Sequence, residues 1–157
     1  MTQQEDFMRE AIALSAKNII EKWGGPFWCV IVKDNKIIGI GNNHVVADND
    51  PTGHGEIIAI REACKHLWTF DLSWCDIYTN AEPCPMCLGA IYWARITKIY
   101  YATTIQDTQE IWFDDVKFFE EFKKPNTERM VPSEQLLHDE AKAIFDEWKA
   151  KVNDITY

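Results

Sequence analysis

The chain has 157 residues, which is enough for one domain with a buried core. Its 16 basic and 25 acidic residues give a net charge of −9, which would repel a polyanion. Composition therefore argues against nucleic acid as a partner and favours a small neutral substrate. Since the N-terminal residues do not resemble a signal peptide and no apolar run approaches the roughly 20 residues of a membrane span, we expect a cytoplasmic protein without a membrane partner.

The first part of the chain predicts a helix followed by a β-hairpin. Apolar residues at helical spacing predict the helix over 5–22, and Gly24-Gly25-Pro26 ends it. Two short apolar runs, 27–32 and 37–40, flank a polar turn and predict a hairpin whose strands are covered on both faces. The helix is expected to pack through Met8, Ile12, Ala16, Ile19 and Trp23.

The middle of the chain predicts alternating helices and strands. A polar loop over 41–53 leads to His54, which begins a helix with apolar residues at a period near 3.6. A strand over 75–79, a helix over 84–94 and a strand over 98–102 follow. This order predicts parallel crossovers in an α/β fold with helices on both faces of the sheet.

Beyond residue 103 the sequence predicts two short helices within 106–124 and a later amphipathic helix. We expect the chain to form a single domain over 1–157, with a C-terminal helix and tail over 132–157. The apolar stripe of the later helix must bury against the core or a partner. It consists of Leu137, Ala141, Ile144, Phe145, Trp148 and Val152.

Five cysteines is an odd number, and two of them form Cys84-x-x-Cys87, so a disulfide framework is not expected. Cys29, Cys64 and Cys75 lie among apolar residues and are interpreted as small buried side chains. Reduced thiols suit a metal site.

His54, Glu56, Cys84 and Cys87 have the spacing of a catalytic zinc site. On the first turn of a helix, both thiols of Cys84-x-x-Cys87 point to one side, where the helix dipole favours thiolates. His54 would be the third ligand, and three protein ligands leave a position for water. Glu56 is better placed beside that water, where a carboxylate can move protons, than on the metal.

Two other interpretations of the motifs remain. Cys84-x-x-Cys87 alone could be a redox pair or half of a structural zinc site. A structural site would need a fourth protein ligand. The nitrogen and sulfur candidates are His44, His66, Cys64, Cys75 and His138, and none has motif spacing to the others.

With His54-Gly-Glu56 and Pro83-Cys84-x-x-Cys87, the chain resembles the zinc-dependent nucleobase deaminases of the cytidine deaminase superfamily. Its likeness is greatest to the bacterial guanine deaminase family. That likeness rests on Gly25-Pro26-Phe27, Asn42-Asn43, Asn49-Asp50-Pro51-Thr52, the segment 82–95, Phe113-Asp114-Asp115 and the terminal Tyr157.

The resemblance implies a three-layer α/β/α fold around a five-stranded mixed sheet. It implies a homodimer in which C-terminal segments are exchanged and help to close the partner's site. It also implies a Zn²⁺ cofactor on His54, Cys84 and Cys87, and catalytic roles for Glu56 and Asp115. The substrate-binding residues implied are Phe27, Asn43 and Tyr157.

The implied activity is hydrolytic deamination of guanine to xanthine and ammonia. The alternatives are a tRNA adenosine deaminase, a cytosine-type deaminase and a non-catalytic zinc-stabilised binding module. Four residues depart from the family pattern: Trp28, Cys29, Gly55 and Trp112. Trp28 would leave less room for a purine if it pointed into the pocket, but strand alternation predicts that it lies on the face opposite Phe27.

Overall fold

The computed structural model describes residues 2–152. The chain divides into two compact units, of which the first ends at Phe119 and the second begins at Glu120. Among the described residues, no helix is long and apolar enough to cross a bilayer. The elements, in order, are α1 (Gln3–Glu21), β1 (Trp28–Lys33), β2 (Lys36–Asn42), α2 (Val45–Asp48), α3 (Gly55–Leu67), β3 (Asp76–Ala81), α4 (Pro85–Trp93), β4 (Lys98–Thr103), α5 (Ile105–Glu110), α6 (Asp115–Lys123), a 3₁₀ turn (Asn126–Glu128) and α7 (His138–Lys151).

The sheet of the first unit is mixed, with the strand order β2-β1-β3-β4. β1 runs antiparallel to both β2 and β3, whereas β3 and β4 are parallel, as the α4 crossover predicts. The α/β class and the mixed sheet are confirmed. The expected fifth strand is not found among residues 2–152. After β4, a capping box at Thr104 and Asp107 starts a helix, and no strand forms in 104–152.

Helices cover the sheet on both faces, and the alternation of β1 separates the two cores. Ile31 and Cys29 face α3 and α4 in one cluster, with Ile77 and Ala59. Val30 and Val32 face α1 in the other. The predicted hairpin is confirmed, and Asp34 and Asn35 form its turn with φ of 48° and 60°.

The predicted packing face of α1 is wrong in part. Ile12 is 46% and Ile19 is 71% exposed, whereas Ala11 and Asn18 are buried. Of the predicted residues, Met8 packs on the sheet, together with Phe7 and Leu14. The buried face is therefore rotated from the expected one, and it includes a polar residue, Asn18.

The start of α3 lies very close to β2. A Cβ at Gly41 would overlap the carbonyl oxygen of Gly55, so glycine is needed at position 41. The same approach crowds Gly55, where an added Cβ would lie 3.1 Å from the carbonyl oxygen of Gly41. This contact fixes the helix turn that carries His54 and Glu56.

Between residues 120 and 152, the second unit has few buried residues. In α7, no residue is buried, and Phe145 and Trp148 are 72% and 51% exposed. The predicted helix is confirmed, but its apolar stripe remains uncovered within the described part of the chain.

Candidate active site and metal centre

The predicted ligands lie at the N-terminal ends of two helices. His54 is the N-cap of α3, and Cys84 is the N-cap of α4, where Pro85 occupies the first helical position. Cys87 follows one turn later and is fully buried. Free backbone N–H groups at such ends favour thiolates.

These three side chains have the spacing of ligands around one zinc ion. Their ligand atoms lie within 4.8 Å of one another, and no other His, Cys, Asp or Glu of residues 2–152 joins such a group with them. His54 Nδ1 lies 3.6 Å from Cys84 Sγ and 3.5 Å from Cys87 Sγ. Tetrahedral zinc with usual Zn–S and Zn–N bonds would place S and N about 3.6 Å apart. The residues therefore fit zinc with one open position.

The two thiols have pKa values that are shifted in opposite directions. A hydrogen bond from Cys87 and the nearby His54 lower the pKa of Cys84 to about 4, although burial opposes this. The same hydrogen bond, together with burial, raises the pKa of Cys87. Hydrogen bonding to Cys84 raises the pKa of His54. A metal cation would displace the remaining thiol proton.

Glu56 is buried beside the three ligands, with 6% of its surface exposed. Burial raises its pKa to about 7, and the negative Cys84 adds to this effect. A carboxyl with a pKa near neutrality can both accept and donate a proton at physiological pH. Glu56 thus has the properties of a proton shuttle rather than of a ligand.

A cavity of about 520 Å³ opens over His54 and Glu56. This volume lies in the usual range for small-molecule sites. Phe27 lines the cavity, and its ring meets the edge of Phe113 at 4.7 Å between centroids. Asn43 and Asp115 also line it, so apolar rings and a few polar groups converge there.

Backbone contacts fix the Asn43 amide. Its Oδ1 accepts hydrogen bonds from the N–H groups of Gly25 and Val45, at 3.3 and 3.2 Å. The amide nitrogen is then the group available to a ligand.

Asp115 is the first residue of α6 and contacts the buried Thr108. The Thr108 hydroxyl lies 3.1 Å from Asp115 Oδ2 and 2.9 Å from the carbonyl oxygen of Ile105, and it has one proton to donate. Burial raises the pKa of Asp115, and the Thr108 hydrogen bond opposes this.

The structure brings together seven of the eight predicted site residues. They are His54, Cys84, Cys87, Glu56, Asp115, Phe27 and Asn43. Tyr157 lies outside the described residues. Trp28 is buried on the α1 face, with Lys17 over its ring, and Trp112 is 93% exposed; neither lines the cavity. Cys29 is buried in the core, as predicted.

Sequence reasoning missed three residues around the cavity. Phe113 lines the cavity, but the Phe113-Asp114-Asp115 run alone did not predict this. Asn80 accepts a hydrogen bond from the N–H of Trp28 and donates one to the carbonyl of Pro26, which fixes the backbone on both sides of Phe27. Asn18, on α1, had no motif that could have identified it.

Comparison with known proteins identifies the family. Residues 1–103 match the cytidine and deoxycytidylate deaminase zinc-binding region. The chain belongs to this deaminase family. The zinc cofactor and the aminohydrolase class predicted from the motifs are thereby confirmed.

This deaminase is 44% identical to guanine deaminase of Bacillus subtilis (strain 168) over 153 residues, which is 98% of each chain. It matches the crystal structure of guanine deaminase from Bacillus subtilis with a TM-score of 0.92, again over 98% of each chain. It matches a structure of guanine deaminase from Nitrosomonas europaea at 28% identity and a TM-score of 0.65, over 92% of this chain and 83% of that one.

The family likeness extends to enzymes that act on RNA. The deaminase is 32% identical to a tRNA-specific adenosine deaminase of Aquifex aeolicus (strain VF5), over 96% of this chain and 97% of the relative.

Proposed function

We propose that this deaminase converts guanine and water to xanthine and ammonia. The observation that carries the proposal is the likeness to the Bacillus subtilis guanine deaminase over almost the full length of both chains. The position of Trp28 supports it, because the ring lies outside the cavity and leaves room for a purine.

In the proposed reaction, the oxygen of water bonds to C2 of guanine and the C2–N bond of the exocyclic amine breaks. Zinc, when bound by His54, Cys84 and Cys87, supplies a water of lowered pKa at neutral pH. Glu56 accepts a proton from the attacking water and passes it to the adjacent ring nitrogen. Glu56 then takes the proton of the new hydroxyl on C2 and transfers it to the departing amine, so that the C2=O bond of xanthine forms as ammonia leaves.

The remaining residues bind and orient the base. Phe27 is proposed to stack on the purine ring, and Asn43 to donate its amide N–H to an acceptor on the ring. Asp115 is proposed to assist proton transfer to the amine. Tyr157 is proposed, from the family resemblance alone, to help bind the substrate.

The test measures ammonia release by zinc-loaded protein with guanine, adenine, cytosine and their nucleosides. We expect guanine to react fastest. Glu56→Gln should lower kcat by about 10²- to 10⁴-fold while zinc content stays at the wild-type value. Turnover of another base with none of guanine would overturn the substrate, and near-normal turnover by Glu56→Gln would overturn the role of Glu56.

A tRNA adenosine deaminase is the second candidate, favoured by the Aquifex aeolicus relative. The net charge of −9 argues against it, because phosphate contacts supply much of the affinity for RNA. An anticodon stem-loop with adenosine at the wobble position serves as the competing substrate. Inosine formation in that RNA, without xanthine formation from guanine, would decide for this alternative.

We also propose that the protein is a cytoplasmic homodimer in which the C-terminal segments are exchanged. The support is the uncovered apolar face of the second unit, where Leu137, Ile144 and Phe145 are 69, 62 and 72% exposed. Monomeric proteins rarely leave such a face in water. The proposed occupant is a second copy of the chain, which would contribute its tail to the partner's site.

Sedimentation tests the dimer. Phe145→Glu should give a monomer, whereas the wild type and Lys142→Ala, a change on the same helix, should sediment as dimers. A wild-type monomer at micromolar concentration would overturn the proposal.

Exchange of the C-terminal segments is tested by mixing a Glu56→Gln chain with a chain truncated after residue 131. Activity that appears in the mixture, but in neither chain alone, would support exchange. A mixture that stays inactive would contradict it.

A further inference from the structure

Asn18 is a buried polar residue that the proposed mechanism does not use. It lies on the sheet-facing side of α1, two turns after Ala11, and only 3% of its surface is exposed. An apolar side chain would be expected at this position. A buried amide is costly unless its polar atoms are hydrogen-bonded, so the contacts of Asn18 require an explanation.

The amide nitrogen of Asn18 joins α1 to two loops at the cavity. It donates to the carbonyl oxygen of Gly25 at 2.8 Å and to that of Asn43 at 3.0 Å. Both acceptors belong to residues that line the cavity, whereas Asn18 does not line it. The contacts span 7 and 25 positions in the chain, so they are tertiary contacts rather than helix capping.

The hydrogen-bond network of Asn18 extends through Gly25 to the side chain of Asn43. Gly25 accepts from Asn18 through its carbonyl and donates through its N–H to Asn43 Oδ1. Asn18 thereby holds the backbone of Asn43 directly and its side chain through Gly25. The packing is tight, because a Cβ at Gly24 would overlap Asn43 Oδ1. Rotation of the Asn43 amide would break this network.

We propose that Asn18 is a positioning residue that fixes the Asn43 amide with its N–H groups toward the substrate, and so sets the affinity for the base. The proposal rests on the role of Asn43 given under the proposed function. Asn18 acts through Asn43 and Gly25 and does not touch the base. Its loss should therefore weaken binding of the base more than it slows the chemical step.

The experiment uses the zinc-loaded full chain with Asn18→Ala and Asn18→Asp. Kd for the guanine analogue 8-azaguanine is measured by calorimetry in a Glu56→Gln background, because 8-azaguanine carries the same 2-amino group as guanine and the active enzyme would hydrolyse it. Values of kcat and KM for guanine are measured by ammonia release with Glu56 intact. Asn18→Ala should raise Kd and KM by about three- to ten-fold, with kcat changed less than about two-fold. Asn18→Asp should have a larger effect, because a carboxylate would face the two carbonyl oxygens that the amide now binds.

Leu14→Ala is the matched control, since Leu14 packs α1 on the sheet and does not line the cavity. It should lower the Tm while Kd and KM stay near wild type. Asn18→Ala should add little to Asn43→Ala, because the two changes remove one interaction. The proposal is overturned if Asn18→Ala leaves Kd unchanged, if Leu14→Ala raises Kd equally, or if the Asn18 and Asn43 effects add fully.

Failure of the substrate assignment is distinguishable from failure of this proposal. If wild-type protein deaminates another base, guanine is wrong. The same variants are then measured with that base. Asn18→Ala should again raise KM while kcat changes little. If the Glu56→Gln protein binds 8-azaguanine, and the Asn18 variants in that background bind it equally well, the role of Asn18 alone is overturned.

Discussion

The two compact units differ in how far their apolar side chains are buried. In the first unit, Ile31, Ile77 and Ile91 are at most 1% exposed, because the sheet is covered by helices on both faces. Among residues 120–152 the one buried residue is Glu121, while Phe145 and Ile144 are largely exposed. The first unit thus contains the buried core and the proposed metal ligands. The second unit has the amphipathic pattern but no described surface that covers it.

The strongest test of this contrast removes a metal ligand from the first unit. Cys87→Ala deletes a fully buried thiol next to His54. We expect loss of zinc and of activity to background, because two protein ligands cannot hold the ion in its working geometry. Metal analysis and ammonia release measure both. Cys64→Ala is the control, since this thiol is not in the ligand group, and it should retain zinc. Zinc retained by Cys87→Ala would contradict the ligand assignment.

A matched pair of isoleucine substitutions tests burial directly. Ile31→Ala, in the first unit, should lower the free energy of unfolding by about 2–5 kcal/mol. Ile144→Ala, at a position 62% exposed, should change it by less than about 0.5 kcal/mol in dilute protein. Urea denaturation followed by circular dichroism measures both. If the dimer is correct, the Ile144 variant should lose more stability as protein concentration rises. If the two variants lose equal free energy of unfolding in dilute protein, the two units do not differ in burial as described.

A smaller effect is expected at Thr108, within the first unit. Its hydrogen bond lowers the pKa of Asp115, which burial raises. Thr108→Val removes that bond, so the pKa of Asp115 should rise and less of the carboxylate should be ionised at a given pH. The part of the acidic limb of kcat/KM that belongs to Asp115 should move to higher pH, with a change of about two- to ten-fold in its ionisation constant. Thr108→Ser keeps the hydroxyl and should keep the profile. An unchanged acidic limb in Thr108→Val would show that Thr108 does not influence the pKa of Asp115.

The sequence was sufficient to predict the parts of the site that depend on local spacing. Cys84 and Cys87 are three apart on one helix turn, and His54 begins another helix, so their approach followed from element order alone. Asn43 and Asp115 were expected from resemblance, since nothing in a polar loop or an acidic run indicates a pocket. The strand alternation of 27–32 also predicted correctly that Trp28 faces away from Phe27.

Tertiary contacts explain what the sequence could not predict. The buried face of α1 was misjudged because Ile12 and Ile19 are apolar but exposed, whereas Asn18 is polar but buried. Hydrophobic periodicity cannot identify a polar residue whose partners are distant carbonyl groups. The fifth strand was expected from the family alone, and residues 104–152 form helices and irregular segments in its place.

The smallest predicted effect is confined to alkaline pH and tests the core on the α1 face. Burial, with Tyr100 nearby, raises the pKa of Tyr78 to about 12, against about 10 for an exposed tyrosine. The folded state therefore favours the neutral phenol, and its contribution to stability is complete below pH 10 and is lost as pH rises toward 12. Tyr78→Phe keeps the ring stacked on Tyr100, at 4.5 Å, but cannot ionise. Between pH 9 and 11, the urea midpoint of the variant should fall less steeply than that of the wild type, while the two should respond alike between pH 7 and 8. Since Tyr78 belongs to the first unit, parallel slopes across the whole range would mean that alkaline unfolding begins outside this core.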